Sequence, residues 1–458
     1  MIDFSMTFPA GFLWGAATAA HQVEGANTNN NWHAWEQAGR VYRGQQAGTA
    51  CDWWGGRYIE DFDRAAALHH NAHRFSVEWS RIEPTPGEFD SAALDHYAAM
   101  LDALAARGMT PVVTLHHFSN PLWLEELGGW TNPAAVEHFA RFVREVVAAL
   151  GDQVTLWCTI NEPMVYATQS YLLGHFPPGE RSQGVTVRVA ENLLRAHAAA
   201  YHAIKELRPA AQVGFAKHQI SLKTAQPELL HLPARNVLRH FFNRAWVEAL
   251  LTGDLRFPMH RAAVPEARDA IDWIGLNYYY RFRAGISLRH PHKLFVHQSR
   301  PHDGILGPES VGEIWPEGLV EHIKWLFEAT GRPLYVTENG VPDPDDTLRP
   351  LHLVRSLTSL WKATMHTYPV KGYFHWTLVD NFEWSEGYDP RFQFGLFACD
   401  RETQARTKRT SADLYGEVCA ANALTSDIAR RYLSAEQFDA LFPGVEVQDR
   451  VELQRPQS

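Results

Sequence analysis

Two glutamates in this chain each follow a hydrophobic run, and they lie far apart in sequence. The first sits in Thr159-Ile160-Asn161-Glu162-Pro163, where Pro163 stops a strand and turns the chain outward. The second sits in Tyr335-Val336-Thr337-Glu338-Asn339-Gly340, where Gly340 permits a tight exit turn. Either glutamate alone reads as well as an exposed loop residue. Together, two carboxyls facing one cavity can divide the work of proton transfer and nucleophilic attack. Cleavage of a glycosidic bond needs such a pair. A separation of about 5 Å gives retention at the sugar carbon, and a wider gap leaves room for a water and gives inversion. A third run, Phe374 to Trp384, adds recognition chemistry. Trp376 offers an apolar face to a sugar ring, Glu383 can accept hydrogen bonds from two hydroxyls, and Trp384 can donate one.

These residues must be held by something rigid. Eight short β-rich runs alternate with helical patterns: Phe12–Thr18, Ala72–Trp79, Pro111–His117, Leu156–Glu162, Gln212–Lys217, Trp273–Tyr279, Pro333–Asn339 and Gly372–Leu378. Their near-continuous apolar character suits strands covered on both faces. Helical spacing marks Ala92–Arg107, Pro133–Leu150, Glu191–Leu207, Leu319–Ala329 and Leu351–Tyr368. The alternation predicts an α/β chain folded as a single (β/α)8 TIM barrel. Its active face would be built by the long loops after the strands, notably Gly174–Gly184, Gly285–Gly312 and Pro342–Pro350. No glycine-rich phosphate fingerprint follows any strand, so no nucleotide cofactor is expected. The catalytic domain is expected to span residues 1–424. The extension 425–458 reads as two short helices (Asp427–Leu433, Ala435–Leu441) and a polar tail, with Gln454–Ser458 disordered.

Composition narrows the partners. The formal charge is −10, from 42 basic and 52 acidic residues, which argues against nucleic acid. No uncharged apolar run reaches the ~18 residues a membrane helix needs. No Lys or Arg precedes Arg40, so the run Phe12–Ala17 lacks the basic flank of a signal segment. Cys51, Cys158, Cys399 and Cys419 are scattered and read as free thiols in a cytoplasmic protein. Sixteen tryptophans in an aromatic content of 12% give many flat faces for core or sugar. His69, His70 and His73 invite a metal-site reading. They lie before or at the start of the second strand, at the end opposite the expected mouth, and read as helix-end or surface residues, so no metal is expected.

In order along the chain, Phe-Pro-x-x-Phe-Leu-Trp-Gly (Phe8 to Gly15), Gln22 to Gly25, Arg74 to Arg81, His117, Asn161 to Pro163, Asn277 to Tyr279, Thr337 to Gly340 and Asn381 to Trp384 form a pattern. With it the sequence resembles glycoside hydrolase family 1, the β-glucosidase and β-galactosidase family, from Phe8 to about Ala420. The resemblance implies Glu338 as nucleophile and Glu162 as acid and base. It implies that Gln22, His117, Asn161, Glu383 and Trp384 hydrogen-bond the glycone, that Trp376 stacks on it, and that Arg74 and Tyr279 contact the nucleophile. Asn277 lies two residues before Tyr279, so both side chains leave the strand on one side. A cation and a phenol beside Glu338 would favour its charge, and that charge would keep Glu162 protonated. The substrates implied are small β-glucosides and oligosaccharides, with oligomeric state left open.

The sequence departs from the family pattern at His21, Phe118 and Gly312, where Tyr, Trp and Trp are common. Gly312 removes an acceptor-site platform that Trp315 could partly replace. Glu383 would repel a 6-phosphate, which favours unphosphorylated sugars, and an acid rather than Gln at 162 favours ordinary O-glycosides. Three rivals remain: a non-catalytic sugar-binding barrel, which needs no paired glutamates; a metal-dependent hydrolase; and a glycosyl-transferring relative, which uses the same intermediate.

Overall fold

The structure, a computed structural model, describes residues 3–258, 260–289, 296–300, 304–308 and 312–443. Eight parallel strands form its centre: β1 (Leu13–Ala17), β2 (Ala72–Ser76), β3 (Thr110–His116), β4 (Leu156–Asn161), β5 (Gln212–Thr224), β6 (Trp273–Ile286), β7 (Leu334–Asn339) and β8 (Val370–Trp376). Each pairs with the next, and β8 pairs with β1, so the sheet closes on itself. β2 and β4 are buried along their whole length, as strands between helices and a filled barrel must be. The fold is a closed (β/α)8 barrel.

The expected helices are present with shifted ends, at Ser91–Ala105, Ala135–Leu150, Gln183–Leu207, Gly318–Thr330 and Arg349–Met365. Helix Ala135–Leu150 buries Phe139, Phe142, Val143 and Val146 at helical spacing against the barrel. Phe142 stacks on Trp79, with ring centroids 5.1 Å apart, and its truncation to Ala would cost roughly 3–5 kcal/mol. Trp79 itself is not in a strand. β2 ends at Ser76, and Trp79 begins a short helix, Trp79–Ile82. The motif Phe8–Gly15 proves structural: Phe8, Phe12 and Trp14 pack ring to ring, and the Trp14 indole donates to Asn422 Oδ1 at 2.9 Å.

Two strands run well past their expected ends. β5 continues to Thr224 and β6 to Ile286, and the two stay paired beyond the barrel, Ser221 with Arg281 through Thr224 with Ala284. Val296–Ser299 adds antiparallel to the β6 extension, so the expected loop Gly285–Gly312 contains a strand. Gly184 likewise belongs to helix Gln183–Leu207, capped by Ser182. Helices Ser426–Tyr432 and Ala435–Leu441 follow a strand, Ala423–Thr425, that pairs with Ser5–Thr7. Phe438 and Phe442 close on Phe4 from the other end of the chain. The expected tail Gln454–Ser458 lies outside the described residues. Among the described residues no helix is long and apolar enough to cross a membrane.

Candidate active site

Glu162 stands at the carboxyl end of β4, where Pro163 opens helix Pro163–Thr168. Its backbone is left-handed, φ 45 and ψ 59, a conformation that costs a non-glycine residue on the order of 1–2 kcal/mol. The packed strand before it and the proline after it hold that conformation. The carboxyl is buried at the floor of a cavity of about 910 Å³ whose lining includes Glu338, His117, Asn161, Tyr279, Trp376, Glu383 and Trp384. Phe118 and Trp384, which line the same cavity, also have positive φ. Gly340 does not: a Cβ there would meet the Trp376 carbonyl oxygen at 2.1 Å. Its smallness serves close approach of the chain to β8 rather than the turn geometry expected from sequence.

A hydrogen-bonded chain joins the two glutamates. Arg74 Nη1 meets Glu338 Oε1 at 2.6 Å, and its Nη2 meets Asn161 Oδ1 at 2.7 Å. Asn277 Nδ2 reaches both Asn161 Oδ1 (3.1 Å) and Glu162 Oε1 (2.8 Å). Tyr279 donates its phenol to Glu338 Oε2 at 2.7 Å. Asn277 and Tyr279 thus point into one cavity from β6, as their spacing predicted. Asn161 Nδ2 donates to His117 Nε2 at 2.9 Å, which leaves the neutral ring's proton on Nδ1.

Around the deep end stand the remaining predicted residues. Gln22 Nε2 donates to Glu383 Oε2 at 3.3 Å and to the Phe382 carbonyl at 2.8 Å. His117 lies between the rings of Trp376 and Trp384, at 6.0 and 5.8 Å. His21 pairs with Glu36 at 2.7 Å and stacks on Trp384 at 6.0 Å, so it orders the site from behind. Gln22 Oε1, His117 Nδ1, Asn381 Nδ2 and His218 Nε2 are all buried without a hydrogen-bond partner in the protein. Of these residues His117 and His218 line the cavity and Gln22 bonds Glu383, which lines it, an arrangement that suits a ligand rich in hydroxyls.

Burial raises all three carboxyls, and their neighbours decide the outcome. Glu338 is pushed up to about 7 by burial and the charge of Glu162, against Arg74 and Tyr279. Glu162 is also raised by burial, but the charge and hydrogen bond of His218, with Asn277 and Arg74, bring it below its ordinary value. Glu383 is pushed up to about 8 by burial, then by the charges of Glu338 and Glu386. At that value Glu383 is largely protonated near neutral pH, so standing charge alone does not repel a 6-phosphate as the sequence reading held.

His218 is the residue the sequence reading missed. It leaves β5 and places Nδ1 2.9 Å from Glu162 Oε1. Two other readings change. Trp315 does not line the cavity: the Arg281 guanidinium lies 3.5 Å over its ring. Gly312 has φ +75, and a Cβ there would sit 2.9 Å from the Phe282 ring, so no larger residue fits this backbone. The outer cavity is lined instead by side chains such as Leu172, Phe176, Ile220 and Phe242. Of the three histidines, only His69 is exposed. His70 and His73 are buried, and burial pushes each ring down to about 3.

Fold and site together define a glycoside hydrolase on a (β/α)8 barrel. The family model for glycosyl hydrolase family 1 matches residues 4–424, and the chain belongs to that family. It is 34% identical to Beta-glucosidase A of Thermotoga maritima, over 91% of this chain and 98% of that protein. It is 28% identical to Beta-galactosidase of Pyrococcus woesei, over 93% and 99%. Among solved structures, the beta-glycosidase from Pyrococcus horikoshii superposes with a TM-score of 0.87 at 34% identity, covering 95% of this chain and all of that one. The chain is therefore a family 1 β-glycosidase.

Proposed function

We propose that this enzyme is a retaining β-glucosidase that also accepts β-galactosides and β-fucosides, with Glu338 as nucleophile and Glu162 as acid and base. The observation that carries the proposal is the short relay Glu338–Arg74–Asn161–Asn277–Glu162 at the floor of one cavity. Near neutral pH the two carboxyls act as one titrating pair. Without substrate, burial holds Glu338 up and His218 draws Glu162 down; in the working form the pair's one proton is held by Glu162, because Arg74 and the Tyr279 phenol bond Glu338 in its ionised form.

Glu338 then attacks the anomeric carbon while Glu162 gives its proton to the leaving oxygen, so a glycosyl-enzyme ester forms and an alcohol departs. Glu338 has lost its charge, and Glu162 now takes a proton from water, whose oxygen cleaves the ester from the same face as the departed group. Gln22, His117, Asn161, Glu383 and Trp384 hold the glycone hydroxyls, and Trp376 floors the ring. Asn161, pinned between Arg74 and His117, is placed to grip the 2-OH as charge develops. The relatives named for glucosides and galactosides support both sugars. Among the described cavity-lining residues there is no lysine, and Arg300 donates to the Gly307 carbonyl, which favours an unphosphorylated glycone. The free cysteines fit a cytoplasmic enzyme, and the family match over 4–424 supports residues 425–458 as an appended segment.

The test is a panel of aryl β-glycosides (gluco, galacto, fuco and 6-phosphogluco) with the product anomer followed by NMR. The β-anomer should appear first, with glucose fastest and 6-phosphoglucose inert. First appearance of the α-anomer would sink the retaining mechanism.

A further inference from the structure

We propose that His218 is a positioning residue for Glu162: with Asn277 it holds one carboxyl oxygen, so that the catalytic proton is carried on the other, facing the leaving group. The proposal rests on the reading of Glu162 as acid and base given above. Both protein bonds to the carboxyl fall on Oε1, from Asn277 Nδ2 at 2.8 Å and His218 Nδ1 at 2.9 Å. A crowded Oε1 disfavours a proton there, which directs it to Oε2.

His218 is built to hold that position. Its backbone is opposite Asn277 in the β5–β6 register, so the two donors share one rung of the barrel. Its ring lies nearly parallel to Tyr279 (17°, 5.8 Å) and meets Phe242 edge-on at 5.8 Å. Its carbonyl is tied by the buried Lys217 ammonium at 2.6 Å, which also bonds the Phe242 carbonyl at 2.8 Å. The imidazole is 4% exposed, yet Nε2 has no partner. Buried histidines away from the cavity, such as His70 and His352, have no side-chain hydrogen-bond partner at either nitrogen. This one makes its side-chain hydrogen bond to the carboxyl.

The ionisable groups around it are Glu162 from β4, Lys217 from β5, Tyr279 and Tyr280 from β6, and His322 from helix Gly318–Thr330, which bonds Ser221 at 3.0 Å. Beyond Glu162 lie Arg74 and Glu338. Donation from His218 favours the ionised form of Glu162. Loss of the donor therefore lets Glu162 keep its proton to higher pH.

His218→Phe fills the aromatic slot without a donor, and His218→Asn keeps a donor near the Nδ1 position. The readout is kcat/KM for phenyl and 2,4-dinitrophenyl β-glucosides across pH. The poor leaving group should lose roughly 10- to 100-fold in His218→Phe, against less than about threefold for the activated one. The alkaline limb should move upward in His218→Phe and return in His218→Asn. Equal losses on both substrates, or a limb that stays in place, would overturn the proposal. Glu162→Gln is measured alongside. If it shows the leaving-group dependence and His218→Phe does not, the positioning role fails and the acid role stands. If neither shows it, the assignment of Glu162 fails with it. Should His218→Phe not fold, His218→Ala is read by the same comparison.

Discussion

Replacing Glu162 by Gln separates chemistry from structure, because the amide oxygen can take over the contacts at Oε1. Asn277 Nδ2 and His218 Nδ1 would still find an acceptor at 2.8 and 2.9 Å. Truncation to Ala would instead strand both donors in a buried site, at about 1–3 kcal/mol each. The Gln variant should therefore melt within about 1–2 °C of the parent, while Ala melts several degrees lower. What Gln removes is one proton. General acid catalysis is worth roughly 10²–10⁴-fold, or about 3–5 kcal/mol of barrier. That loss should fall on substrates whose leaving oxygen needs protonation. Glu338 keeps Arg74 and Tyr279, so the first step with a dinitrophenyl glucoside should change by less than about tenfold. The second step loses its base, so activated substrates should show a burst of phenol followed by a slow steady rate. Stopped-flow with aryl glucosides of graded leaving-group acidity reads both steps. A uniform loss across the series, with no burst, would refute the acid and base role.

Three further outcomes are expected. Glu338→Ala should abolish hydrolysis of aryl glucosides, with azide restoring part of the turnover as the inverted α-glycosyl azide; a wild-type rate, or a β-azide, contradicts the nucleophile assignment. Glu383→Gln should flatten the pH dependence of melting. A buried carboxyl held up at about 8 binds its proton more tightly folded than unfolded, so its stabilisation is present below the ordinary value of 4.5 and lost as pH rises through 8. The gap in Tm between parent and variant should thus shift by roughly 2–5 °C in the variant's favour from pH 5 to pH 8, and parallel melting curves would contradict it. Arg74→Lys should lower kcat on every glucoside by roughly 10- to 100-fold, because an ammonium cannot reach Glu338 and Asn161 in the same fork geometry; unchanged kcat would show that the relay is dispensable.

The barrel was legible in sequence because buried parallel strands leave apolar runs that solvent-facing segments do not. The same rule explains the errors. Beyond the barrel rim β5 and β6 pair with each other and mix buried and partly exposed residues, so Ser221, Lys223, Arg281 and Arg283 hid their strand character. Ending β5 at Lys217 also placed the boundary one residue before His218, which concealed the partner of Glu162. Trp79 looked like strand because Phe75 and Val77 precede it, but it opens a short helix and its ring packs on Phe142 of helix Ala135–Leu150. Arg74 and Tyr279 contact Glu338 as the family resemblance implied, whereas the bond of Asn277 to Glu162 could not be read from its spacing with Tyr279. Protonation was not legible. It depends on burial of each carboxyl and on a histidine brought from another strand.

The central claim is that Glu338 bonds to sugar during turnover. Incubation with 2,4-dinitrophenyl 2-deoxy-2-fluoro-β-glucoside slows both steps while its good leaving group lets the first proceed. The enzyme should gain the mass of one fluoroglucosyl group, lose activity in step with that gain, and yield a single labelled peptide carrying the sugar ester on Glu338. Label on any other residue, or inactivation without a mass gain, would contradict the account.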